Sequence, residues 1–188
     1  MKGRYNPDIH HRKSIRLRDY DYAQAGAYFV TICTKNKECM LGDVVDGMMR
    51  LSELGKIVED ELKNIPIRFP EGEIDKFVIM PNHIHGIIIM HDVGATLAVA
   101  RTDRAGASPA PTIGHIIGSY KSLCINKWLD HINKNSLDIT GKFWQRNYYE
   151  HIIRNEEDMN SIREYILNNP LKWLDDENNP VNLKQARV

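Results

Sequence analysis

Two short apolar runs, Phe77-Val78-Ile79-Met80 and Ile87-Ile88-Ile89-Met90, flank the stretch Pro81-Asn82-His83-Ile84-His85-Gly86. No other part of the chain constrains the fold as strongly. Both runs are rich in branched residues and meet at a Pro-Asn turn, which predicts a hairpin over 73–80 and 83–90. Side chains two apart on a strand share a face, so His83 and His85 should project together while Ile84 points away. Two imidazoles on rigid backbone make half of a divalent-metal site. A bare His-x-His also describes two surface histidines, and the choice depends on residues far downstream.

The other elements follow from their own patterns. Residues 27–34 are β-branched and aromatic and predict a first strand, and a second short strand is expected around Val44-Val45. Apolar residues at 51, 54, 57, 58, 62 and 65 form a helical stripe that Pro66 should end. Residues 93–112 are mostly Gly, Ala, Ser, Thr and Pro and read as a flexible loop. A helix is expected over about 112–131, with Ile113, Ile116, Ile117, Tyr120, Leu123, Cys124 and Trp128 on one stripe. Residues 143–153 are dense in aromatic and basic groups and suggest a last strand or an extended segment. Asn155 is the expected N-cap of a helix over 155–169, with Glu156, Glu157 and Asp158 in its first turn and Pro170 beyond its end. Strand, strand, helix, strand, strand and then helices predicts an α+β fold, an antiparallel sheet covered by helices.

At 188 residues the chain is expected to be a single domain. Its 25 Lys and Arg balance 25 Asp and Glu, so the whole molecule is no polycation. The first 22 residues nevertheless read as a basic arm, with Lys2, Arg4, Arg12, Lys13, Arg16 and Arg18 against only Asp8 within residues 1–18. Such an arm can contact phosphates or simply be a solvated tail. Cys33, Cys39 and Cys124 are odd in number and lack Cys-x-x-Cys spacing, which argues against a disulfide framework and suits a reducing cytoplasm. No apolar run approaches the ~20 residues of a membrane span.

Chemistry enters with Tyr165-Ile166-Leu167-Asn168-Asn169-Pro170. Tyr165 and Asn169 are four apart and share a helix face. A phenol is a poor nucleophile at neutral pH, and becomes competent when a metal ion neutralises and orients the group it attacks. The Asn169 side-chain oxygen can serve as a third, hard ligand beside the two imidazoles, a set that suits Mg²⁺ or Mn²⁺ better than structural zinc. Tyr28, Tyr120, Tyr148 and Tyr149 are the competing phenols, and Tyr165 could equally anchor its helix in the core.

These residues, with Arg12-Lys13-Ser14-Ile15-Arg16-Leu17-Arg18, Tyr28-Phe29-Val30-Thr31, Phe143-Trp144-Gln145-Arg146 and His151-Ile152-Ile153-Arg154, resemble the REP-associated tyrosine transposases. That family is a branch of the HUH (His-hydrophobe-His) single-strand DNA transposases. The resemblance implies a ferredoxin-like or RRM-like sheet, with the histidines on a central strand and the tyrosine on a helix docked against it. It implies that His83 and His85 hold a metal ion, with Asn169 at the position of a third ligand, and that Tyr165 attacks DNA to form a 5′-phosphotyrosine. The implied partner is single-stranded or hairpin DNA, cleaved and rejoined by a monomer or homodimer without a nucleotide cofactor. Arg12, Lys13, Arg16 and Arg18, with Trp144, Arg146, Tyr148 and Arg154, are the candidate DNA-binding residues, although the 143–154 cluster could instead be core and rim packing. Two alternatives stay open: a domesticated hairpin-binding protein with vestigial catalysis, and a phosphodiesterase whose nucleophile is water.

The 93–112 loop carries one further reading, about its gene. The reverse complement of codons for residues 104–112, read one base out of frame, permits Val-Gly-Ala-Gly-Leu-Ala-Pro-Ala-Arg. Residues 93–101 differ from this only at 96 and 99. The segment is therefore expected to be encoded by an imperfect palindrome, with coincidence among GC-rich codons as the competing explanation.

Overall fold

The computed structural model describes residues 25–91 and 112–185. The basic arm, including Arg12, Lys13, Arg16 and Arg18, lies outside the described residues, as does the 93–112 loop up to residue 111.

Strands β1 (Gly26–Cys33), β4 (Gly72–Met80), β5 (His83–Met90) and β6 (Tyr149–Ile153) form one sheet in the order β4-β5-β1-β6. Every neighbouring pair is antiparallel. A separate hairpin joins β2 (Gly42–Val45) to β3 (Met48–Leu51). The described residues also form helices α1 (Glu53–Lys63), α2 (Ile65–Arg68), α3 (Ile113–Lys134), α4 (Glu156–Asn168) and α5 (Pro180–Gln185), with 3-10 turns at Lys35–Lys37 and Pro170–Asp175. This is the expected α+β arrangement.

The alternation along β1 sorts the molecule into layers. Tyr28, Val30 and Ile32 point to the main core, where they join Ile79, Ile84 and Ile88 beneath α1 and α3. α1 contributes Leu54, Val58 and Leu62, and α3 contributes Ile113, Ile116, Ile117, Tyr120, Cys124 and Trp128. Phe29, Thr31 and Cys33 take the opposite face, which α4 covers. There Ile166 packs with Ile87 and Ile153 in a second, much smaller cluster. β5 is buried on both faces because helices lie on both sides of it.

Several boundaries differ from the sequence expectation. The stretch read as one strand is a two-stranded hairpin, turned by Asp46 and Gly47, both at positive φ (53° and 72°). Asp-Gly is the favoured pair for such a turn. Leu51 ends β3, and α1 begins after Ser52, whose hydroxyl accepts a hydrogen bond from the Gly55 amide. Pro66 follows the end of α1 and sits in the first turn of α2, where a missing amide hydrogen costs nothing. Between 143 and 153, the strand covers 149–153. The preceding segment runs beside the end of β1, with Lys35 N–H donating to the Phe143 carbonyl and Gln145 N–H to the Cys33 carbonyl. α4 has the expected cap, the Asn155 side chain accepting from the Asp158 amide at 2.8 Å.

Candidate active site

The register across the sheet builds the floor of the site. Thr31 of β1 lies opposite His85, and Cys33 opposite His83. Val78 and Met80 of β4 flank the histidines on the other side. As the two-residue period requires, the imidazoles lie side by side, with ring centroids 4.5 Å apart, and both are buried.

Each imidazole is held at Nδ1 by a neighbour, and at His83 that neighbour sets the tautomer. Asn82 Nδ2 donates to the carbonyls of Lys37 and Asn178, both at 2.8 Å, which turns its Oδ1 toward His83 Nδ1 at 2.8 Å. An amide oxygen only accepts, so His83 carries its hydrogen on Nδ1 and presents a bare Nε2. That Nε2 is buried and has no hydrogen-bond partner among the described residues. His85 Nδ1 lies 2.9 Å from Thr31 Oγ1, and its Nε2 lies 3.2 Å from the Tyr165 hydroxyl. Burial pushes both imidazoles down to about 3, with Lys37 adding to the effect at His83 and His83 at His85. Both are therefore neutral, the form that ligates a metal.

Tyr165 arrives from α4, its ring edge-on to His85 at 5.1 Å and to Phe29 at 6.0 Å. Burial, with the carboxylates of Asp176 and Glu177, raises its phenol above the usual value of 10, while a hydrogen bond from Asn169 opposes the rise. Asn169 is buried, and its Oδ1 has no hydrogen-bond partner among the described residues. Tyr28 and Tyr120 lie in the main core, whereas Tyr148 and Tyr149 line the same cleft as Tyr165.

Asp176 was not singled out from the sequence. It follows the 3-10 turn after α4, and its Oδ2 lies 3.7 Å from His83 Nε2. One ligand atom each from His83, His85 and Asp176 fall within 4.8 Å of one another. An orphaned imidazole nitrogen, a second neutral imidazole and a carboxylate are a chemically suitable donor set for a divalent cation. Only spatial proximity marks Asp176, since in sequence it is one of three consecutive acids.

A cleft of about 550 Å³ opens beside these groups, lined by Phe29, Thr31, Cys33, Lys37 and Gln145 among others. Cys33 thus faces the cleft rather than the core. Lys121 of α3 shapes one wall by donating to the carbonyls of Gln145, Arg146 and Asn147. Of the DNA-binding candidates, Arg146 and Arg154 are exposed and Tyr148 is half-buried at the cleft. Trp144 corrects the expectation. It is 9% exposed and packed against Phe143 and Tyr120 in the main core, so it presents no free face for a base.

No protein-family model matches the chain. An uncharacterized protein of Haemophilus influenzae is 45% identical over 182 residues, covering 94% of this chain and 98% of its own length. Among solved structures, a REP-associated tyrosine transposase bound to a REP hairpin overlays with a TM-score of 0.53 at 20% identity, covering 84% of this chain and 73% of that one. The chain belongs to one family with the Haemophilus influenzae protein, and its fold is that of a REP-associated tyrosine transposase, as the resemblance read from its motifs implies.

Proposed function

We propose that this protein is a metal-dependent transposase-type enzyme that cleaves and rejoins single-stranded DNA at hairpin sequences through a 5′-phosphotyrosine at Tyr165. The observation that carries the reading is the 3.2 Å contact between the Tyr165 hydroxyl and His85 Nε2. A phenol from the last quarter of the chain has no structural need to sit on a buried histidine pair. His83, His85 and Asp176 would hold the cation, with the orphaned oxygen of Asn169 beside the phenol as a further donor. When bound, Mg²⁺ or Mn²⁺ supplies charge neutralisation at the scissile phosphate.

The chain's own residues do the rest. Asn82 sets the His83 tautomer, Thr31 holds the His85 ring in place, and Asn169 orients the phenolic oxygen. In the reaction a bond forms between the Tyr165 oxygen and phosphorus, and the bond to the 3′ oxygen breaks. The phenolic proton passes, in net terms, to the departing 3′ oxygen, which leaves as a hydroxyl. Reversal with another 3′-hydroxyl rejoins the strand, so no nucleotide is consumed. Arg146, between the cleft-lining Gln145 and Asn147, and the exposed Arg154, with Arg12, Lys13, Arg16 and Arg18 of the arm, are suited to phosphate contacts that weaken with salt.

Incubation with a labelled hairpin oligonucleotide and Mn²⁺ tests this. The expected result is a denaturation-resistant protein–DNA adduct that Tyr165→Phe abolishes. Hairpin binding with no adduct would leave a binding protein, and cleavage with no adduct would make water the nucleophile.

A further inference from the structure

The fold lines up three side chains in one row across the sheet. Thr31 pairs with Tyr149 on one side and with His85 on the other, so all three stand on the same face. Tyr149 is 52% exposed, large and aromatic, and it lines the cleft. Two inter-strand spacings separate it from His85, about 10 Å, a distance one nucleotide spans from phosphate to base. Around this row the cleft is lined with carboxamides, Gln145 and Asn147, with the ammonium of Lys37 and with the carboxylate of Glu177.

Glu177 gives the cleft a direction. A carboxylate repels a phosphate, so a DNA-binding surface should not place one along the backbone path. It acts only as an acceptor, and so suits a base edge that offers amino hydrogens. Cytosine, adenine and guanine carry an exocyclic amino group. Thymine offers one ring N–H between two carbonyls, which a carboxylate disfavours.

From this arrangement we infer that the cleft is a nucleobase subsite for one unpaired, amino-bearing nucleotide next to the scissile phosphate. Its base stacks on Tyr149 and its edge is read by Glu177 with Gln145 and Asn147. The inference rests on the function proposed above, which places the scissile phosphate at the histidines.

An abasic scan tests it. A single abasic position is moved along the single-stranded flanks of a hairpin oligonucleotide, and binding is measured with the Tyr165→Phe chain, which cannot cleave. One position should weaken binding about tenfold, the order expected for loss of one stacked base. Thymine there should bind less well than cytosine, adenine or guanine. Glu177→Gln should erase that discrimination while retaining overall affinity, and Tyr149→Ala should bring every base down to the abasic level. Glu177 is exposed, so its variant remains informative if Tyr149→Ala does not fold. A flat scan, or discrimination unchanged in Glu177→Gln, overturns the subsite while adduct formation by the unaltered chain still stands. A missing adduct with a position-dependent scan overturns the enzyme reading instead.

Discussion

Arg163 grips Asp75 at two points, Nε to Oδ2 at 2.7 Å and Nη2 to Oδ1 at 2.8 Å. The pair ties α4 to the edge strand β4, where the pairing register breaks between Ile74 and Phe77. Within α4 only Ile166 is fully buried, so little apolar packing fixes the helix. The planar guanidinium fork therefore positions the helix, and Tyr165 lies two residues farther along it.

Breaking this clamp should uncouple cleavage from binding. Arg163→Ala or Asp75→Asn is expected to slow adduct formation about tenfold, with hairpin affinity within about twofold of the unaltered chain, in line with positioning effects. The exchanged pair, Asp75→Arg with Arg163→Asp, should recover part of the rate. Equal losses of affinity and rate would count against a positioning role.

The clamp also has a pH signature. Its hydrogen bonds from Arg163 hold the Asp75 carboxyl below the usual carboxylate range. An Asp with a depressed folded pKa stabilises above its unfolded value, near 4, and loses that contribution as pH falls through the folded value. Thermal midpoints of the unaltered chain and Asp75→Asn should therefore differ at pH 6 and draw together only as pH falls below about 4.

The buried imidazoles run in the same direction by a different route. In the unfolded chain they protonate near 6.5, whereas in the fold burial holds them neutral down to about 3. Below pH 6.5 the unfolded state binds more protons, so stability declines as pH drops from 7 toward 4. His85→Gln should flatten that decline, as followed by thermal denaturation. Mn²⁺ binding by calorimetry should lose tenfold or more in affinity in His85→Ala and in Asp176→Asn, the latter despite an intact histidine pair.

Because one chain brings Tyr165 to its own His85, the two should act in cis. An equimolar mixture of His85→Ala and Tyr165→Phe chains is expected to yield no adduct. Recovery of adduct toward a quarter of the normal level, the share of composite sites that random pairing restores, would mean that a second chain delivers the phenol.

Lys121 holds three successive carbonyls, of Gln145, Arg146 and Asn147. Lys121→Met leaves them without that donor and should lower stability by about 1–2 kcal/mol in denaturant unfolding. It should also weaken binding of a single-stranded flank more than binding of a fully paired hairpin stem.

How much of this was legible in advance depended on the range of the interaction. Backbone geometry alone sets periods of two and 3.6 residues, so the local sequence placed His83 beside His85 and Tyr165 in register with Asn169. The same local rules gave the cap at Asn155. The Asp46-Gly47 turn was equally local and marks a hairpin that apolar patterning alone does not resolve. Tertiary pairing decided the rest. The alignment of Tyr149, Thr31 and His85 depends on strand register, the burial of Trp144 on which ring fills the core beside Tyr120, and the arrival of Asp176 at His83 on how the chain returns after α4. No short window of sequence encodes those placements, because each is selected by the fit of distant surfaces rather than by the geometry of neighbouring residues.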